Sequence, residues 1–251
     1  MYTPDVITLR QFYTTPLGEG TRSLIAAAIT HFWPQAKNEI MLGIGFSTPY
    51  LEPYLTESAS MMICMPGQQG AAYWPPSGDN RVFLSHESEL PIPESSVNRV
   101  LMLHSIENSE ELTGMIKDAY RVLTPGGRIL AIVPNRLGLW ARSSRSPFGY
   151  GRPFSMAQLR ELFTDHDFTV TRSTSALFIP PTHMRLAWRF ARKIETIGKI
   201  LCPFIGGVLL VEAEKQLYAA VKQPIVARKS YGVGIPAGKP VLGRGSSRGM
   251  I

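Results

Sequence analysis

Residues 108–134 read NSEELTGMIKDAYRVLTPGGRILAIVP, and this stretch decides how the chain is organised. Leu112, Ile116, Ala119, Tyr120 and Leu123 recur at helical spacing, so residues 108–123 predict a helix. Pro125, Gly126 and Gly127 end it, and RILAIVP (128–134) follows as a strand. Upstream, EIMLGIG (39–45), SMMICM (60–65), RVFLS (81–85) and SVNRVLMLHS (96–105) predict four more strands. The last is apolar almost throughout, as a strand covered on both faces should be. Helices are expected over 20–34, ended by Pro34, and over 47–55, opening on a Ser or Thr cap with Pro49 in its first turn. Strands alternating with helices imply right-handed crossovers and a mostly parallel sheet. Downstream come a loop dense in Arg, Gly and aromatics (136–154), a Ser-capped helix (155–166), an alternating strand (168–179), a basic amphipathic helix (182–201) and a last strand (206–215).

The chain has 251 residues, 44% of them hydrophobic, which suits one well-buried core. Cys64 and Cys202 form no C-x-x-C pair, so neither a disulfide framework nor a zinc site is expected, and no metal. The first fifteen residues lack the apolar core of a signal peptide, and residues 202–211 are too short to span a bilayer. These features point to a soluble, cytoplasmic protein. The net charge of +7 is unevenly placed. Residues 222–251 hold Lys222, Arg228, Lys229, Lys239, Arg244 and Arg248 and no acid, leaving +1 for residues 1–221. The expected division is a domain over 1–221, with the basic helix 182–201 as an insert, and a Gly, Ser and Pro-rich tail over 222–251, disordered by composition.

Gly43-Ile44-Gly45, residues 90–100 (LPIPESSVNRV), residues 120–128 (YRVLTPGGR) and Val133-Pro134-Asn135 together resemble the class I S-adenosylmethionine-dependent methyltransferases, and within them the bacterial type-11 group. The similarity covers roughly residues 36–180. It implies an α/β, Rossmann-like fold: a mostly parallel seven-stranded sheet with helices on both faces. It also implies S-adenosylmethionine as cofactor and methyl transfer to a small-molecule or lipid-like acceptor. Gly43, Gly45, Ser47, Met65, Gln68, His86, Glu87 and His104 are the positions the resemblance assigns to the cofactor. Valine at Gly43 or Gly45 is expected to abolish cofactor binding in a folded domain.

The sequence departs from the family at its acids. Met41 stands where an acid commonly precedes the first glycine, and Cys64-Met65-Pro66-Gly67 offers no carboxylate for the ribose hydroxyls. Gln68 or Gln69 is the available substitute, and a neutral acceptor is weaker than a carboxylate. His86 takes the place of the adenine-side acid with Glu87 beside it, and Asn98 replaces an aspartate. The alternative to an enzyme is therefore an inactive relative that keeps the sheet as a scaffold for a protein or membrane partner. A nicotinamide dehydrogenase is disfavoured, because Thr48 occupies the last glycine of G-x-G-x-x-G.

Methyl transfer needs at most one base, and His104, at the end of the fourth strand, is the candidate. Glu107 is read as assisting the next helix through its dipole. In the loop 136–154, Arg136, Arg142 and Arg152, with Trp140, are candidates to receive the acceptor. The basic helix 182–201 either covers the acceptor pocket or, with the tail, meets an anionic membrane surface or a protein partner. No RNA-binding motif accompanies these cations, so nucleic acid is not an expected partner.

Overall fold

A computed structural model of the chain describes residues 3–182 and 185–216. Its strands are β1 (Ile40–Gly45), β2 (Ser60–Pro66), β3 (Val82–Ser85), β4 (Val97–Leu103), β5 (Leu123–Pro134), β6 (Phe168–Ala176) and β7 (Val208–Lys215). They form one seven-stranded sheet in the order β3-β2-β1-β4-β5-β7-β6. β1 to β5 run parallel, while β7 is antiparallel to both β5 and β6. The helices are α1 (Val6–Tyr13), α2 (Pro16–Phe32), α3 (Thr48–Leu51), α4 (Leu112–Val122), α5 (Met156–Thr164), α6 (Arg185–Arg189) and α7 (Ala191–Leu201). The mostly parallel α/β sheet expected from the sequence is present. The basic tail lies outside the described residues. Among the described residues no helix is long and apolar enough to cross a membrane.

Side chains alternate along the strands, and the two faces carry separate cores. Met41, Met61, Ile63, Leu101 and Leu103 belong to the face packed with α1 and α2, whereas Leu42, Ile44, Cys64, Val100 and Met102 belong to the face packed with α4 and α5. Met41 is fully buried there, so a carboxylate at this position would be a buried charge. Asn98 serves the sheet: its side-chain oxygen accepts from the Ile40 amide at 2.8 Å and fixes the start of β1 against β4.

Local chemistry sets the element ends. Thr15 caps α2 by accepting from Gly18, with Pro16 in the first turn. Ser155 and Gln158 form a capping box on α5. Three expectations need correction. The helix expected over 47–55 is one turn, α3, followed by a 3-10 turn at Glu52–Tyr54, because Pro53 cannot continue the ladder. α4 stops at Val122, and β5 starts at once, with Leu123 opposite Val97. The Pro-Gly-Gly triplet is an irregularity inside β5, absorbed before Arg128 pairs with Arg99, and Gly126 has φ +75°. The helix expected over 182–201 breaks at Phe190, whose amide bonds the carbonyl of Ala187.

The glycines of the β1 turn are required by the fold itself. Gly45 has φ +77°, and a Cβ there would stand 2.3 Å from the Leu103 carbonyl oxygen. A Cβ on Gly43 would meet Ser47 Oγ at 2.0 Å and both Leu51 and Ile63 at 2.8 Å. Valine at either site therefore disturbs the core as well as any ligand, which corrects the expectation of a folded variant. Gly45→Ala should lower unfolding free energy by about 2–5 kcal/mol, measured by urea denaturation.

Glu212 on β7 ties the far edge to α2. Its carboxylate accepts from Trp33 Nε1 at 2.9 Å, Thr171 Oγ1 at 2.9 Å and the Arg172 guanidinium at 2.9 and 3.0 Å. Arg172 also donates to the Phe32 carbonyl at the end of α2. Burial acts to raise the Glu212 carboxyl, but the bonds from Arg172, Thr171 and Trp33 outweigh it and hold it below the usual 4.5. Its stabilisation is present above the unfolded value and is lost as pH falls through the folded one. Glu212→Gln should lower stability at neutral pH and flatten its decline below about pH 4.5, followed by denaturation across pH.

Candidate active site

Parallel strands deliver their carboxyl ends to one edge of the sheet, where such folds bind ligands. A cavity of about 150 Å³ opens there, lined by the turn after β2 (Pro66, Gly67, Gln68, Gln69), the turn after β3 (His86, Glu87) and the turn after β4 (His104, Ser105, Asn108). Thr3, Glu110 and Glu111 complete it.

Polar atoms without partners concentrate at this place. Ten buried side-chain nitrogen or oxygen atoms lack a hydrogen-bond partner among the described residues, and four belong to the cavity lining: Gln69 Oε1, His104 Nδ1, Ser105 Oγ and Asn108 Oδ1. Both oxygens of Glu107, outside that lining, are also among the ten, with Oε1 3.3 Å from His104 Nδ1. Buried polar atoms are normally satisfied, so such a cluster makes this cavity the candidate site. Gln69 is 2% exposed, and its amide nitrogen donates to the His104 carbonyl at 2.9 Å. That bond leaves its carbonyl oxygen free. Gln68, by contrast, is exposed. Of the two glutamines considered as stand-ins for the ribose acid, the structure buries Gln69.

His104 has φ +52°, a left-handed conformation that a non-glycine residue adopts at a cost. Its ring is backed by Phe148, with centroids 4.7 Å apart. Nε2 lies 2.8 Å from the Tyr13 hydroxyl, which in turn receives the Tyr50 hydroxyl at 3.2 Å. With the Tyr50 proton directed at Tyr13, the Tyr13 proton falls to Nε2, and Nδ1–H faces Glu107 Oε1 at 3.3 Å. Tyr50, Tyr13, His104 and Glu107 thus form a buried file of groups that can pass a proton. Burial, with a further push from Tyr50, holds the Tyr13 hydroxyl well above its ordinary value, and burial raises Tyr50 likewise, so both stay neutral at physiological pH.

A second cavity, of about 190 Å³, has Tyr13 in its wall. Arg10, Arg22, Phe46, Met65, Tyr73 and Trp74 are among its walls.

The structure brings Gln68, His86, Glu87 and His104 to the first cavity and Met65 to the second, while Gly43, Gly45 and Ser47 line neither. Glu87 is partly engaged, accepting from Ser109 Oγ at 2.6 Å and the Glu111 amide at 2.9 Å, so it pins the entry to α4. None of Arg136, Trp140, Arg142 and Arg152 lines either cavity. Trp140 is buried and donates to the Ile179 carbonyl. Arg136 donates to Pro153 O, and Arg152 donates to Ser109 O while its amide bonds Glu107 O. Arg142 is exposed. From the loop 136–154 it is Phe148 that reaches the site. Sequence reasoning missed Tyr13, Gln69 as the buried glutamine, and the pairing of Glu107 with His104. Val6, Leu9, Phe12 and Tyr13 at helical spacing after Asp5 were the available signal for α1.

Residues 43–131 match the family described as methyltransferase domain. A protein of Mycolicibacterium smegmatis named "Probable S-adenosylmethionine-dependent methyltransferase" is 33% identical over 94 residues, covering 36% of each chain. The match therefore spans about a third of that relative's length. A SAM-dependent methyltransferase of Thermotoga maritima superposes with a TM-score of 0.60 at 15% identity, covering 84% of this chain and 96% of its own. One from Archaeoglobus fulgidus gives 0.54 at 16% identity, covering 83% and 98%. At these identities the likeness to solved structures is one of fold. The chain has the class I S-adenosylmethionine-dependent methyltransferase fold.

Tyr13→Phe removes the hydroxyl that satisfies His104 Nε2 and should cost about 1–3 kcal/mol of stability, read from chemical denaturation.

Proposed function

We infer, from the methyltransferase fold and the domain match over residues 43–131, that the chain transfers a methyl group from S-adenosylmethionine to a small acceptor. The observation that carries this reading is the cluster of unpartnered buried polar atoms at the carboxyl edge of β2 and β4. A scaffold that only kept the sheet would have no reason to hold buried oxygens without donors. The cofactor, when bound, supplies an electrophilic methyl group on a sulfonium. On this reading Gln69, Ser105 and Asn108 hold its adenosine portion, with His86 and Glu87 at the rim. Neutral acceptors replace the family's carboxylates, so the contacts are individually weaker, about 0.5–1.5 kcal/mol each in place of about 1.5–3.

His104 is the base of this proposal. Its imidazole can take a proton from the acceptor through Tyr13, while Glu107, facing Nδ1 at 3.3 Å, orients the ring. The acceptor enters the second cavity, on the α1 side of Tyr13. Arg10 and Arg22 have no ion-pair or hydrogen-bond partner there among the described residues, which favours an acceptor carrying an acid group. The apolar walls Phe46, Met65 and Trp74 suit a lipid-like or aromatic body. Cys64 and Cys202 are free thiols, in keeping with a cytoplasmic setting.

Calorimetry with S-adenosylmethionine and with S-adenosylhomocysteine tests the reading, and micromolar binding is expected. A folded protein that gives no heat up to millimolar ligand would sink it. Gln69→Leu should weaken S-adenosylhomocysteine about tenfold, in a variant whose circular dichroism is unchanged. Unchanged affinity would remove Gln69 from the site.

A further inference from the structure

The surface of α7 and the turn after it is unlike the rest of the molecule. Eleven large hydrophobic side chains are exposed among the described residues, and six of them, Phe190, Ile197, Ile200, Leu201, Phe204 and Ile205, fall within sixteen consecutive positions. Ile200, Leu201 and Phe204 are the most open, at 75%, 72% and 73%. Phe190, Ile197 and Leu201 recur seven and four residues apart, so they share one face of the helix. Ala191 and Glu195 point the other way, into the protein. Leu137, 59% exposed, extends the apolar surface, because it shares a cleft with Phe204. Isolated exposed hydrophobics need no explanation, but a contiguous patch marks an interaction site.

The charge around this patch has one sign. Arg189, Arg192, Lys193 and Lys199 lie on α6 and α7. The single acid between residues 185 and 207 is Glu195, and it is 7% exposed. Its two oxygens accept from the amides of Leu177 and Phe178 at 3.1 and 3.0 Å, and Lys199 Nζ lies 3.8 Å from one of them. Glu195 thus holds the helix to the end of β6 and adds little negative charge outside. The outward surface therefore combines apolar side chains with cations.

That combination selects among possible occupants. A second copy of the chain would bring the same cations face to face. Residues 222–251, with six cations and no acid, offer no complementary charge. An anionic lipid surface satisfies both parts, taking the cations at its headgroups and the apolar side chains just below them.

We propose that α7 and residues 202–205 form a membrane-surface site, through which the protein docks peripherally on anionic phospholipid. Ile197, Ile200, Leu201 and Phe204 enter the headgroup boundary, and Arg192, Lys193 and Lys199 hold the phosphates. The site is independent of the methyl-transfer reading, since it lies on other elements and uses none of the cavity residues.

Sedimentation of the full chain with phosphatidylcholine vesicles, with and without phosphatidylglycerol, tests this. Binding is expected only to the anionic vesicles and should fall as salt is raised. Lys193→Glu should weaken partitioning at least about fivefold, the equivalent of one surface cation. Ile200→Asp with Phe204→Asp should weaken it at least about tenfold with the melting temperature kept, because both side chains are already in water. Failure to bind anionic vesicles overturns the proposal and turns the patch toward an acidic protein surface. Full binding by the Ile200 and Phe204 double variant overturns it too, moving the contact to cations elsewhere in the chain. A dimer in sedimentation velocity that this double variant dissolves would overturn it in favour of self-association.

Discussion

The fold and the site both hang on the close approach of two parallel strands, β1 and β4, at their carboxyl ends. Gly45 passes so near the Leu103 carbonyl that no Cβ fits between them. The next residue on β4's side, His104, leaves the sheet in a left-handed conformation. The two chains part within a few residues, β1 into a one-turn helix and β4 into the turn carrying Ser105, Glu107 and Asn108. The turn after β4 joins those after β2 and β3 to line the first cavity, while the turn after β1 stays outside its walls. What the side chains add is polarity, and several of its buried atoms have no hydrogen-bond partner among the described residues.

Much of this was legible in the sequence. Strands buried on both faces appear as short apolar runs, and β1, β2, β4 and the body of β5 were found that way. The helix before β5 was legible for the same reason: its buried residues recur along one face. Boundaries failed where one residue outweighed a pattern. Pro53 shortened the helix after β1, and Leu123, read as the last helical residue, was already paired with Val97 in the sheet. Site residues were legible when they sat at strand ends, as His86, Glu87 and His104 do. They were illegible when their meaning depended on distant partners. Tyr13 and His104 are 91 positions apart, and only folding joins them. Glu107 looked like a helix-start acid because its partner, three residues back, reveals itself only through the left-handed turn. The arginines of the loop 136–154 looked available. Arg136 and Arg152 in fact hold backbone carbonyls in place.

The changes from the family's acids have separate physical reasons. Met41 faces a fully apolar layer, and Asn98 is occupied with the Ile40 amide, so both serve the sheet. Gln69 is different. It is fixed by one bond to the His104 carbonyl, yet presents an unused oxygen beside the cavity. Glu107, outside the cavity lining, faces His104 Nδ1 at 3.3 Å instead.

α1 joins a segment outside the matched domain to the cavity residues. Its first amide bonds the Gln69 carbonyl, and its last residue, Tyr13, reaches His104, so the helix is tied to two residues of the cavity lining. It lies wholly before residue 43, where the shared domain begins. The matched portion carries Gln69 and His104, and the portion before it carries the helix that binds both. Taking α1 away would therefore leave every strand of the sheet in the chain yet remove the hydroxyl that His104 Nε2 faces.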